Sequence, residues 1–170
     1  ATTQAVKAYA TPQMNTGYKI KEVFSIPFYP NQKLYELSNG MRVITIKRPG
    51  NTAIYTTVGV GKLNEPDDKR GMAHLMEHLV GHEGLVPKDE EDKKLVNDAG
   101  AIFNAETSDI TTKYYTKAPM NNAETLDKFL KLQAKIIKNT DFARSDDEKK
   151  IINEEKKKKS KASGDWGYLN

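Results

Sequence analysis

The sequence predicts an α+β fold with a mostly antiparallel sheet and helices packed on it. Two observations carry this prediction: β-prone runs occur in hairpin pairs, and stretches with helical spacing lie between them. The 170 residues suffice for one hydrophobic core, and 37% of them are hydrophobic. No apolar run reaches the roughly 18–20 residues that a membrane span requires. The lack of cysteine excludes a disulfide framework and a thiolate metal site.

The strands of the first third follow a polar segment. Residues 1–30 are rich in Thr, Gln, Asn, Tyr and Pro without a sustained period, which indicates an extended lead-in. Two β-prone runs, residues 34–37 and 41–46, flank an Asn39-Gly40 pair, and Asn-Gly between such runs is typical of a hairpin. Residues 52–60 are β-branched and predict a third strand.

Helices and one further hairpin account for the rest. A helix is expected to open at Pro66-Asp67-Asp68, run through about Val80 and stop at Gly81. The other predicted elements are a helix at residues 88–97, an antiparallel pair at 102–106 and 111–117, a helix from Asn121 or Asn122 to Lys138, and a helix from Ser145 into a lysine run.

The net charge of +4 has a local source, the lysines at 156–159 and 161. A basic field could indicate nucleic-acid binding, but this run has no interleaved aromatic residues. A solvated helix end, where positive charge suits the helix dipole, is the favoured interpretation. We therefore expect neither a nucleic-acid partner nor a membrane span.

The helix at residues 72–80 is apolar around most of its circumference, so we expect it to be buried. Its polar residues His74, Glu77 and His78 lie at i, i+3 and i+4 and share an arc of about 100°. Burying two imidazoles and a carboxylate together is costly unless they are paired or bind a metal. Two His one turn apart can each approach one Zn²⁺ to about 2.0–2.1 Å, and Glu77 could then take a proton from a zinc-bound water.

The alternative for these three residues is a hydrogen-bonded group in a packed core. Three such groups on one face favour the metal. His82 projects near the same arc, but Gly81 is expected to end the helix first. His82 is therefore predicted to lie at the surface or to contact the ligands rather than to be one of them.

The residues from His74 to His78 form the H-x-x-E-H motif of the inverzincins. Here the chain resembles the pitrilysin/insulin-degrading-enzyme family of zinc proteases, which includes the mitochondrial processing peptidases. Other segments resemble family motifs: residues 39–43 its "NG-x-x-V" hairpin, residues 71–74 its "G-L-A-H" entry to the zinc helix, and residues 100–107 its "G-x-x-x-N-A-x-T" strand, followed by Tyr114, Tyr115 and Pro119.

The resemblance implies a third zinc ligand, a Glu on another helix, at the position of Glu154 or Glu155. Helix geometry separates the two. Ile151 and Ile152 are expected to define the buried side of this helix, and their mean direction lies about 10° from Glu155 and about 110° from Glu154. Glu155 is therefore the predicted ligand, and the zinc site would lie between two helices.

Three further residues have roles that the resemblance implies. Glu148 matches a family glutamate that supports catalysis near the metal. It also fits a capping box in which it reaches back to the Ser145 amide, and both roles stay open. Asn104 and Ala105 match a sheet-edge segment that binds substrate main chain, although Asn104 could be a plain polar residue near a turn.

The implied function is a zinc metalloendopeptidase that hydrolyses peptides or small unfolded proteins. Residues 31–170 would form its catalytic domain, incomplete because the homologous second half of the family's clamshell is absent, so we expect a second domain or subunit as partner. The alternative is a zinc- or peptide-binding fragment that needs that half for turnover. A first residue other than Met favours an exported bacterial protein or a processed organellar one.

Overall fold

The computed structural model describes residues 19–25, 28–81, 90–119, 122–140 and 142–164. These residues contain helices and two sheets with antiparallel pairing throughout, which confirms the predicted α+β class. The chain divides into two compact units, Ala1–Pro49 and Gly50–Asn170. The domain organisation predicted from the sequence, with a lead-in over residues 1–30, stays a prediction.

The first unit contains a three-stranded sheet in the order β1-β2-β3, formed by β1 (Ile20–Ser25), β2 (Gln32–Leu37) and β3 (Arg42–Ile46). The predicted hairpin is the β2–β3 pair, and Gly40 in its turn adopts a φ of +83° that favours glycine. β1 falls within the segment interpreted as an extended lead-in, and the sequence analysis did not predict it as a strand. All but the first of its residues are exposed, so pairing with β2 rather than a buried face defines this strand.

The described residues of the second unit form a sheet in the order β4-β6-β5 and four α-helices. Its elements are β4 (Thr52–Val58), α1 (Met72–Gly81), α2 (Glu90–Asp98), β5 (Ile102–Thr107), β6 (Thr112–Ala118), α3 (Ala123–Lys138) and α4 (Ser145–Gly164). The predicted 102–106 and 111–117 pair is the β5–β6 hairpin, and Asn122 caps α3 by accepting the Thr125 amide. In the described part of the chain, no helix is long and apolar enough to cross a membrane.

The core of the second unit lies between the sheet and the helices. Its most buried side chain is Phe129 of α3, which stacks near Phe103 of β5 with ring centroids 5.9 Å apart. Val80 of α1 and Ala118 of β6 belong to the same cluster. α1 packs against β5, β6 and α4, so the polar face of α1 is held between the sheet edge and the last helix.

The prediction that the helix opens at Pro66-Asp67-Asp68 was wrong. Asp67–Lys69 forms a separate 3-10 turn, and α1 starts only at Met72. Gly71 lies between them with a φ of +100°, a left-handed conformation that a continuous helix does not contain. The glycine therefore sets the start of α1 immediately before the metal motif.

Gly61 lies where the segment after β4 crosses the β5–β6 turn, and we predict that Gly61→Ala destabilises the fold. A β-carbon there would lie 2.5 Å from the Ser108 carbonyl oxygen and 2.6 Å from the backbone nitrogens of Ile110 and Thr111. Backbone atoms cannot rotate away, so we expect the free energy of unfolding to fall by about 1–3 kcal/mol or more. Chemical denaturation would measure it.

Gly59→Ala is the matched control, because nothing lies within 4 Å of a β-carbon at position 59. This variant should change stability by less than about 1 kcal/mol. Equal losses in the two variants would contradict the steric explanation.

Candidate metal centre

α1 brings together the three polar residues that the sequence singled out. One ligand atom from each of His74, Glu77 and His78 can be chosen such that all lie within 4.8 Å of one another. The Nε2 atoms of His74 and His78 are 3.2 Å apart, and Glu77 Oε2 lies 3.9 Å from His74 Nε2. His78 is 1% exposed, so its imidazole is shielded from water.

α4 adds a carboxylate to this cluster. Glu155 Oε2 lies 3.6 Å from His74 Nε2, and Glu155 Oε1 lies 3.7 Å from His78 Nε2. Three ligand atoms around a tetrahedral Zn²⁺ at 2.0–2.1 Å would be separated by about 3.3–3.4 Å. The observed separations of 3.2, 3.6 and 3.7 Å match this spacing within a few tenths of an ångström. Two imidazoles and one carboxylate are also a donor set that zinc accepts, so these residues fit the metal.

Glu148, also on α4, contacts the opposite side of the His78 ring. Its Oε2 lies 3.1 Å from His78 Nδ1, and the carboxyl group is buried. A carboxylate only accepts, so it favours the tautomer with the proton on Nδ1 and leaves the Nε2 lone pair facing the cluster. Among the described contacts there is none from Glu148 to the Ser145 amide, and Ser145 is itself the first helical residue of α4.

Glu154 and Glu155 of α4 have different surroundings. Glu154 is exposed and paired with Lys157 at 2.6 Å, whereas Glu155 faces the imidazoles. One premise of the sequence-based choice between them was wrong, because Ile151 is 43% exposed and only Ile152 is buried. The buried face of α4 instead follows Glu148 and Ile152, four residues apart, and the face continues to Glu155.

A hydrogen bond from the sheet also holds α1. Tyr114 of β6 is buried, and its hydroxyl donates to the Met76 carbonyl oxygen at 3.3 Å. Burial, with a smaller contribution from the Glu77 charge, raises the pKa of Tyr114 to about 12. The phenol therefore stays protonated at neutral pH and remains a donor to the helix.

Asn104 and Ala105 lie on β5, which pairs with β6 on one side and, among the described residues, has no strand on the other. The Ala105 amide donates to Asn104 Oδ1 at 2.8 Å. β5 lies against α1, where the Thr107 hydroxyl donates to the Ala73 carbonyl oxygen at 3.4 Å. The structure thus places the predicted substrate segment at a sheet edge beside α1.

Sequence reasoning missed Glu65. This residue accepts from two amides at the start of α1: Gly71 N–H donates to its Oε2 and Ala73 N–H to its Oε1, each at 2.7 Å. A cap is normally sought at the residue just before a helix. Glu65 lies six residues before Gly71, so capping rules do not identify it. The one feature that could have indicated it is an acidic residue close to the start of a helix. His82 lies outside the described residues.

We predict that Glu148→Ala lowers zinc affinity about 10–100-fold, the usual cost of losing a group that orients a metal ligand. The substitution removes the partner of the buried His78 Nδ1, so the ring loses its fixed tautomer and orientation. Glu148→Gln keeps an oxygen acceptor and should lose less affinity. Competition with a chromophoric chelator measures both, and equal affinity in Glu148→Ala and the unchanged protein would contradict the prediction.

The family model described as insulinase, peptidase family M16, matches residues 42–164. The chain is 33% identical over 110 residues to the zinc protease PqqE of Helicobacter pylori. This alignment covers 63% of this chain and 24% of that protein. It is 33% identical over 126 residues to the mitochondrial-processing peptidase subunit beta of Caenorhabditis elegans, covering 71% of this chain and 26% of that one.

A solved structure of a protease from Helicobacter pylori is also similar. It superimposes with a TM-score of 0.61 at 28% sequence identity, over 75% of this chain and 31% of that chain. The chain therefore spans about a quarter of the length of the curated relatives it matches.

Proposed function

The chain belongs to the insulinase family, peptidase family M16, and on this premise we propose that it carries the zinc site of a metalloendopeptidase that hydrolyses peptides or small unfolded proteins. The observation that carries the proposal is the convergence of His74, His78 and Glu155 beside a carboxylate that is not needed as a ligand. Three protein ligands leave one coordination position open, as catalytic zinc sites do.

In this proposal, His74, His78 and Glu155 hold the metal, and Glu148 orients His78. When bound, Zn²⁺ would lower the pKa of a coordinated water towards about 7 and polarise the scissile carbonyl. The low exposure of His78 and Glu148 supports the assignment, because water would otherwise compete for the same groups.

Glu77 is proposed as the general base. Its side chain is 13% exposed, and the residue lies three positions after His74 and one position before His78 on the same face of α1. From there the carboxylate can accept a proton from the attacking water and later deliver it to the leaving amine. Neither His74 nor His78 is free for this work if both bind the metal, so the proton transfer falls to Glu77.

β5 is proposed to bind the substrate main chain as an added strand. An edge strand offers unpaired backbone donors and acceptors in the spacing that an extended peptide matches. Asn104 Oδ1 accepts the Ala105 amide in this structure, the place that a substrate carbonyl would take. A peptide would therefore displace the Asn104 side chain, which could then bond the peptide itself.

Because the chain spans about a quarter of its relatives' length, we infer that a second homologous domain or subunit is its partner. A zinc- and peptide-binding segment that needs this second half is the alternative function. For the compartment, the mitochondrial-processing peptidases among the relatives support an organellar location, and an exported bacterial protein is the other prediction.

Metal analysis combined with a peptide assay tests the proposal. Mass spectrometry of the purified chain should give about one zinc per chain, and a pool of quenched fluorescent peptides should be cleaved. Zinc without cleavage would favour the alternative. A chain that takes up no zinc even after reconstitution would overturn both.

A further inference from the structure

Glu65 holds the start of the metal helix. Its two carboxylate oxygens accept the amides of Gly71 and Ala73, so one side chain satisfies two of the amides that a helix start leaves without helical acceptors. The negative charge also lies at the positive end of the helix dipole. His74 follows Ala73 directly, so this carboxylate fixes the same turn that carries the first metal ligand.

Glu65 is itself fixed to the sheet. The short helical turn before it, Lys62–Asn64, bonds the β5–β6 turn through Lys62 N–H to the Ser108 carbonyl at 3.1 Å and Leu63 N–H to the Asp109 carbonyl at 2.8 Å. The side chain of Asn64 accepts the Gly61 amide at 2.9 Å and closes this turn. The backbone immediately before Glu65 is therefore anchored to the hairpin that contains β5.

These contacts form a continuous connection from the sheet edge to the metal helix. The connection passes from the β5–β6 turn through the turn at Lys62–Asn64 to Glu65, and from its carboxylate to the first turn of α1. Thr107 joins β5 to the same turn of α1 on another side, through the Ala73 carbonyl. Two independent bonds thus hold the backbone next to His74 in register with the strand.

We propose that Glu65 is a positioning residue, which sets the place of His74 relative to His78 and to β5 and thereby raises the affinity for zinc. The proposal rests on the metal site of the proposed function. It assigns Glu65 no contact with metal or substrate. A cap that only stabilised the fold would affect zinc binding no more than any other cap of equal strength.

A graded series tests this. Glu65→Ala removes both acceptors, and Glu65→Gln keeps one oxygen. Asn122→Ala, which removes the side-chain cap of α3 far from the metal ligands in the sequence, is the matched control for general loss of stability. Zinc affinity by chelator competition should fall about 10–100-fold in Glu65→Ala, less in Glu65→Gln, and stay within about twofold in Asn122→Ala.

Hydrogen exchange of the zinc-free proteins provides the second readout. Amides of the first two turns of α1 should exchange faster in Glu65→Ala than in Asn122→Ala, when the two variants are compared under conditions that give them the same free energy of unfolding. Unchanged zinc affinity in Glu65→Ala, or an equal fall in Asn122→Ala, would overturn the positioning role. If the unchanged chain and all variants fail to bind zinc, the proposed function is wrong. Faster exchange confined to α1 in Glu65→Ala would still show that Glu65 positions this turn.

Discussion

Glu155→Ala should greatly weaken zinc binding and leave the fold intact. Glu155 is the one proposed zinc ligand outside α1, with its oxygens 3.6 and 3.7 Å from the two histidine Nε2 atoms. Its loss leaves two neutral imidazoles to hold a dication without an anionic ligand. Loss of a residue that only orients a metal ligand lowers metal affinity about 10–100-fold, and we expect the loss of zinc affinity in Glu155→Ala to be larger than that.

The fold should survive because the Glu155 side chain is about a third exposed and is not among the buried residues. Ile152 and Glu148, both nearly fully buried, carry the packing of α4. Circular dichroism and thermal melting of the zinc-free proteins would check that the variant is folded before its zinc content is compared.

Glu154→Ala provides a control one residue away on the same helix. Its carboxylate is exposed and pairs with Lys157, and a solvated surface ion pair of this kind contributes little to stability. Mass spectrometry should find about one zinc per chain in Glu154→Ala and little in Glu155→Ala. Equal zinc in both variants would remove Glu155 from the ligand set and leave His74 and His78 without their third protein ligand.

The histidine pair illustrates what the sequence can predict. His74, Glu77 and His78 are brought together by the helical repeat alone, so their spacing in the sequence already implies a shared face. The β2–β3 hairpin is equally local, since Asn39 and Gly40 favour its turn. In both cases the information lies within a few residues of the feature it predicts.

Contacts between distant segments were harder to predict. The bond from Glu148 to His78 joins residues 70 apart, and no periodicity of α4 shows which helix it will meet. Glu155 was selected through a family resemblance and through a face of α4 that the structure corrects at Ile151. Glu65 was missed because its side chain acts across a loop rather than from the position that capping rules inspect.

Strand β1 was missed for a different physical reason. Its side chains are mostly exposed, so the strand has no alternation of buried and exposed residues for a pattern to detect. Backbone pairing with β2 defines it, and pairing depends on the partner rather than on its own composition. Helical spacing therefore predicted α3 of the second unit better than strand patterning predicted this strand of the first.

Glu77→Gln should lower the rate of hydrolysis about 10²–10⁴-fold while zinc stays bound. The amide has nearly the same size as the carboxylate and keeps the helix intact, but it cannot accept a proton at neutral pH. Removal of a positioned general base typically lowers turnover about 10²–10⁴-fold. The prediction separates two properties of one cluster, because the three proposed metal ligands, His74, His78 and Glu155, are unaltered when Glu77 is changed.

The measurement pairs zinc content with peptide cleavage in the same samples. Glu124→Gln is the control for the chemical change itself, since this carboxylate is exposed on α3 and pairs only with Lys128 among the contacts that the structure describes. We expect it to match the unchanged chain in both properties. If Glu77→Gln loses zinc together with activity, the carboxylate is a ligand, and the assignment of Glu155 as the third protein ligand must be revised. If it keeps both zinc and full activity, another group moves the proton. Retained zinc with lost cleavage is the one result that gives Glu77 the role of general base.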